Sequence, residues 1–272
     1  MGRQVESKLP LISSAMAPTQ KQINQITQPQ IVRQLQALGV LPGDLLMVHA
    51  SMRAVGPIEG RGTSLISALL SVVGDGGTIA AYADYELTPE VSYFDPALSP
   101  ARSDYGIFPE ILRTYSNSQR SRNPGASMVA VGRRAEWLCE NHPLNYGYGE
   151  ASPLAKVYEC NGKILLLGAH LDHVTILHYA EHCAKLPNKR VVNRTNTILQ
   201  EGVLTEISIE EFDTSELVCA GMPQDYFERL VRAFIQGGGA NRGVVGNANS
   251  FLLPARDLVS FAIQKMEAEF GI

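Results

Sequence analysis

The stretch Lys163–Lys185, KILLLGAHLDHVTILHYAEHCAK, constrains the fold more than any other part of the chain. It opens on four consecutive aliphatic residues, Ile164 to Leu167, closed by Gly168. A run that short and apolar on both alternating faces predicts a strand covered on both sides, as in a parallel sheet. A loop from Ala169 to His173 follows, then a helix for which Asp172 or Thr175 is the expected N-cap. On that helix His178 and Glu181 are three residues apart and share a face. Two carboxylates (Asp172, Glu181) and four histidines (His170, His173, His178, His182) therefore gather just beyond the C-terminal end of a strand. Open α/β sheets place their ligands there.

The rest of the chain alternates in the same way up to Pro187. Pro29 starts a helix with Ile31, Val32, Leu35 and Leu38 on one stripe, stopped by Gly39. Strands are expected at Leu45–His49, Thr78–Tyr82 and Ser127–Val131, with helices from about Thr63 to Val73 and Phe108 to Tyr115. Ser152 and Pro153 read as the N-cap and first residue of a further helix. Residues 84–105 form a long loop containing proline and acidic residues, of a length that in compact domains accompanies function. Beyond Pro187, Arg190–Leu199 and Val203–Phe212 flank Gln200-Glu201-Gly202 as an antiparallel hairpin. A helix at Tyr226–Ile235, a strand at Val244–Leu252 and a helix at Ala255–Phe270 close the pattern. The reading is a mixed α/β fold: a largely parallel central sheet flanked by helices, with an antiparallel hairpin in the C-terminal part. Residues 1–28, polar and aperiodic, read as a poorly ordered leader before a single domain over 29–272.

The net charge of -4 argues against a nucleic-acid partner and is compatible with a cationic substrate. No apolar run approaches the roughly 18 residues of a membrane helix, so no membrane partner is expected. The four cysteines are widely spaced without a Cys-x-x-Cys pair, and the N-terminus lacks an apolar signal core. Free thiols in the cytoplasm are the corresponding expectation.

Three readings of the central helix compete. His178, Glu181 and His182 match His-x-x-Glu-His, in which two histidines hold zinc beside a glutamate base. No histidine follows His182 to supply a further ligand, so no metal is expected. Alternatively both histidines are ordinary polar-face residues. In the third reading His178 is a general base, with a carboxylate selecting its tautomer and stabilising the imidazolium that forms. No Gly-x-Ser-x-Gly elbow is present, which points to direct transfer rather than a covalent intermediate. The loop His49–Gly56, with Ser51 and Arg53, is a candidate anion site at a strand end but carries no P-loop. Arg120 to Pro124 is a second basic loop, and acidic residues at Asp84, Glu86, Glu90, Asp95, Glu211 and Asp213 would suit a polycation if they converge.

The segments LLMVHASMRAVGPIEG, FDPALSP, RSRNPGASMVAVG, GEASP and KILLLGAHLDHVTILHYAEHCAKLPNKR together resemble the aminoglycoside 3-N-acetyltransferases, and most of all their gentamicin-modifying subgroup. The resemblance runs from about Pro29 to Phe270. It implies a mixed α/β fold, acetyl-CoA as donor, and acetylation of the 3-amino group of the 2-deoxystreptamine ring, which inactivates the antibiotic. His178 and Glu181 fall on the family's His-x-x-Glu pair, and Asp95 on its Phe-Asp-Pro aspartate. Of the segments expected to contact the cofactor, His49, Ser51, Met52, Arg53 and Val55 come from one loop and Ser121 and Asn123 from the other. Asn123 stands where relatives often carry histidine. Tyr82, Glu86, Asp172, Glu211 and Asp213 are the expected aminoglycoside contacts, and a monomer or homodimer the expected assembly.

Overall fold

The computed structural model describes residues 25–85, 92–212 and 217–271. Most of the expected leader lies outside these residues. Within them, Ile26 is already buried and bridges to Ile58, and Thr27 Oγ1 accepts the Gln30 amide to cap the first helix.

In chain order the elements are α1 (Gln28–Leu38), β1 (Leu45–Ala50), α2 (Met52–Val55), α3 (Arg61–Val73), β2 (Thr78–Tyr82), α4 (Phe108–Arg113), β3 (Gln119–Arg120) and β4 (Met128–Gly132). There follow α5 (Ala135–Cys139), α6 (Pro153–Glu159), β5 (Lys163–Leu167), α7 (Leu177–Cys183), β6 (Val191–Gln200), β7 (Val203–Phe212), α8 (Tyr226–Gln236), β8 (Asn241–Val245), β9 (Ala248–Pro254) and α9 (Ala255–Phe270). Single 3-10 turns lie at Ser103–Tyr105 and Leu171–His173. Local signals place several ends as expected. Gly39 stops α1 in the left-handed region at φ 101°. Ser152 Oγ accepts from Ala155 N at 3.1 Å with Pro153 leading α6.

The main sheet runs β3-β4-β2-β1-β5-β9-β8. Its two central strands alternate between two cores. Leu45 and Met47 of β1 and Ile164 and Leu166 of β5 pack on the side of α6, α7 and α9. Leu46, Val48, Leu165 and Leu167 pack on the side of α1 and α3. Each such buried aliphatic contributes about 1.5–3 kcal/mol, which is why β5 is apolar at consecutive positions. The largely parallel sheet expected from sequence narrows to its centre: β2-β1-β5 are parallel, and the outer strands join antiparallel. The expected strand Val244–Leu252 is a hairpin instead, β8 and β9 split at Gly246, whose φ of 61° suits glycine.

Two excursions leave the sheet on the same side. The loop after β2 and the β6–β7 hairpin clasp each other: Phe94 N donates to Thr197 O and Leu199 N to Phe94 O, each at 2.8 Å. Tyr85 Oη adds a 3.1 Å bond to Asn196 Oδ1. Arg120 holds the loop from beneath, donating to Ala83 O and Ser99 O with its guanidinium 4.9 Å from the Phe94 ring centroid. Among the described residues, no helix is long and apolar enough to cross a membrane.

Candidate active site

The parallel register sets the site. His49 pairs with Leu166 and Ala50 with Leu167, so the loops leaving β1 and β5 emerge side by side, next to the end of β2. A cleft of about 1340 Å³ opens over these three strand ends. Its walls are the β1 loop (His49, Ser51, Arg53), the β2 end (Tyr82, Asp84), the β5 loop and α7 (Asp172, His178, Glu181), and the clasped excursions (Tyr105, Glu211).

At its floor His178 Nδ1 lies 2.7 Å from Glu181 Oε2. The Glu181 carboxylate can only accept, so Nδ1 carries the hydrogen and Nε2 holds the lone pair. The ring packs between Tyr148 and Phe227, with centroids 5.0 and 5.1 Å away, and Glu181 is buried. Orientation, tautomer and a buried counter-charge are thus fixed by neighbours, as a general base requires. The helix beneath is not capped as expected. Thr175 Oγ1 donates to His173 O, and Asp172 Oδ1 bonds His170 Nδ1 at 2.8 Å on the exposed lip, so neither side chain caps α7.

His182 faces away from the cleft, with Nδ1 3.2 Å from Tyr146 Oη, and burial lowers its pKa. With His182 turned to Tyr146, the zinc reading lacks its second histidine, and no group of three His, Cys, Asp or Glu among the described residues is placed for a metal.

The β1 loop enters the cleft only in part. His49, Ser51 and Arg53 line it, whereas Val55 is core and Met52 packs against the α1/α3 side. Ser51 Oγ accepts from Ala54 N at 3.3 Å, which starts the one-turn helix α2. Burial depresses His49 to about 4, so its imidazole is neutral at neutral pH. Arg53 has no ion-pair partner among the described residues, unlike Arg102 on Asp104 and Arg194 on Glu211.

Three expected contacts are corrected by the geometry. Ser121 and Asn123 are buried behind the cleft. Ser121 Oγ bonds His142 Nδ1 at 2.9 Å, and Asn123 donates to Pro143 O at 2.6 Å while accepting from Gly125 N at 2.8 Å. Asparagine at this position is a loop brace that presents Pro124 and Gly125 to the cleft. Asp95 does not reach His178 either: its Oδ1 accepts from Ala97 N at 2.8 Å and Leu98 N at 3.4 Å, closing its own turn. Of the expected substrate contacts, Tyr82, Asp172 and Glu211 line the cleft, and Glu86 and Asp213 lie outside the described residues.

The sequence does not single out Tyr105, Tyr148 or Phe227, and it marks Asp84 only as one of the acids that would suit a polycation. For Asp84 a signal exists, because period-2 alternation from β2 carries Tyr82 and Asp84 to the same side. Burial pushes Asp84 up to about 7, with Glu211 adding to the rise. Among the described lining residues five are acidic (Asp84, Asp104, Asp172, Glu181, Glu211) against three arginines, so the cleft favours cations overall.

Residues 47–267 match the family model described as aminoglycoside 3-N-acetyltransferase. The chain belongs to this family of acyltransferase enzymes. An aminoglycoside N(3)-acetyltransferase III of Pseudomonas aeruginosa is 40% identical over 263 residues, 90% of this chain and 95% of the relative. One of Serratia marcescens is also 40% identical, over 90% of this chain and 98% of its own. Among solved structures, AAC-IIIb in a binary complex with CoASH superposes with a TM-score of 0.88 at 42% identity, covering 91% of this chain and 98% of that one. AAC-VIa bound to sisomicin gives 0.86 at 35%, covering 92% and 100%. The mixed sheet and its hairpin are therefore the acetyltransferase fold.

Proposed function

We propose that this acetyltransferase moves the acetyl group of acetyl-CoA to the 3-amino group of the 2-deoxystreptamine ring of aminoglycosides, gentamicin among them, inactivating the drug. The observation that carries this reading is the His178–Glu181 pair at 2.7 Å, its carboxylate buried, in the lining of the cleft. The uncommitted Arg53 on the β1 loop suits the anionic CoA, and Asp84 and Glu211 suit a polycation. The relative bound to CoASH and the relative bound to sisomicin support the two substrate classes.

His178 Nε2 removes a proton as the amine nitrogen bonds to the thioester carbonyl carbon. The Glu181 carboxylate stabilises the imidazolium that results. The C–S bond then breaks, and the imidazolium proton passes to the departing thiolate, giving CoA thiol and the amide. The free thiols Cys139, Cys160, Cys183 and Cys219 fit a cytoplasmic site of action. The test is release of CoA thiol from acetyl-CoA in the presence of gentamicin. His178→Ala is expected to lower kcat by about 10²–10⁴, with the KM for acetyl-CoA within a few fold. His182→Ala keeps most of the activity. Equal losses in the two variants, or none in His178→Ala, overturn the mechanism.

A further inference from the structure

We propose that Asp84 is the seat of one ammonium group of the bound aminoglycoside and so a determinant of which drugs are accepted. The inference rests on the proposed acetylation of aminoglycosides and adds a residue to it. Asp84 follows β2, in line with Tyr82, and lines the cleft across from α7. Its Oδ1 accepts the Tyr85 amide at 2.8 Å, and among the described residues no other hydrogen bond reaches the carboxylate. The nearby cations are committed elsewhere: Arg102 forms a two-pronged pair with Asp104, and Arg120 is spent on Ala83 O, Ser99 O and Ser127 Oγ.

The remaining neighbours cannot neutralise it. Tyr82 from β2, Tyr105 from the 3-10 turn and Tyr148 before α6 surround it with phenols, each held well above its ordinary pKa. Tyr85 faces it from the loop and Glu211 from β7, the latter a second carboxylate on the same cleft. A half-buried carboxylate that lines the cleft with one hydrogen bond and a second carboxylate nearby is a group that a ligand cation completes. Glycine at 125 keeps the opposing wall open, since a Cβ there would collide with Glu211 Oε2. Glu211 is already paired with Arg194 at 2.9 Å, so the amine is assigned to Asp84 while His178 receives another.

Because burial holds the Asp84 carboxyl near 7, binding of an ammonium group expels its proton. At pH 7 a group titrating at about 7 is half-protonated, so it releases about half a proton when the cation binds. The experiment is calorimetric titration of sisomicin into the wild-type enzyme and Asp84→Asn, at pH 7 in buffers of different ionisation enthalpy. Protonation of the drug is common to both, so the difference belongs to Asp84. We expect the wild type to release about half a proton more, and its affinity advantage over Asp84→Asn to shrink about tenfold from pH 8 to pH 6, following the ionised fraction. Identical proton counts, or a ratio of affinities flat with pH, overturn the assignment. Wild-type thiol release with sisomicin is measured alongside: its absence sinks the acetylation reading, whereas its presence with indifferent Asp84→Asn sinks only this one. An unchanged KM for acetyl-CoA certifies the folded variant; should Asp84→Asn fail to fold, Asp84→Ser is read in the same way.

Discussion

Replacing Glu181 by glutamine isolates the electrostatic half of the proposed base. The amide keeps an oxygen that accepts the His178 Nδ1 hydrogen, so ring orientation and tautomer persist while the negative charge goes. Two unit charges 2.7 Å apart attract by ~6 kcal/mol at an effective dielectric of ~20. An imidazole that has taken about half a proton in the transition state draws on about half of that, ~3 kcal/mol, or ~10² in rate. His178 is 21% exposed at its side chain, and water there screens part of the attraction. We therefore expect kcat of Glu181→Gln to fall by about 30–100-fold, with both KM values within a few fold. The assay is initial-rate thiol release at saturating acetyl-CoA and gentamicin. A kcat within twofold of wild type would show that the Glu181 charge does not act on the transition state. A tenfold rise in the acetyl-CoA KM at unchanged kcat refutes the reasoning by another route, since it means the carboxylate shapes the cleft instead.

Two further expectations concern stability. Asp84 titrates at about 7 in the fold against 3.8 when exposed, so the folded state prefers its proton. That preference is fully felt below pH 3.8 and is lost as pH rises through 7, which amounts to a penalty of up to about 4 kcal/mol in the unliganded protein. Urea unfolding should find Asp84→Asn increasingly more stable than wild type from pH 5 to pH 8, and a constant gap refutes the sign. Arg120→Met strands Ser99 O beneath the long loop, leaves Ala83 O to the Ser127 hydroxyl alone, and is expected to cost about 1–3 kcal/mol in the same assay, with limited proteolysis appearing first in residues 84–105. A loss under 1 kcal/mol contradicts that role.

How far the sequence speaks depends on whether a feature is local. β1 and β5 are readable because strands buried on both faces must be apolar at every position, and α1 and α6 because their ends carry cap chemistry within three residues. β3 is two residues long and has no pattern to read. β8 and β9 merge into one run of strand-forming residues unless Gly246-Asn247 is given weight as a turn. The His178–Glu181 pair is visible because three residues on a helix is a fixed distance. Tyr148 and Phe227 converge on it through sheet register and helix packing, which leave no spacing in the chain, whereas Asp84 is marked only by its alternation with Tyr82. Asp95 shows the converse: its bonds are to its own turn, so what looks like a functional acid is satisfied within four residues.

The clasp between the loop after β2 and the β6–β7 hairpin divides the enzyme's heritable variation in two. The proposed base and its partner ride on α7, which is tied into the main core, so changes there are tested first by folding. The proposed drug-facing walls ride on two appendages outside the sheet, which enter the main cores through Phe212 and Ala101 and leave most of their positions free to vary. Yet each appendage is the other's support through Phe94, Thr197 and Leu199. A lineage under a new antibiotic thus has a cheap route to a wider repertoire, but one that runs through paired changes: an insertion in the hairpin that shifts Thr197 calls for an answering change around Phe94.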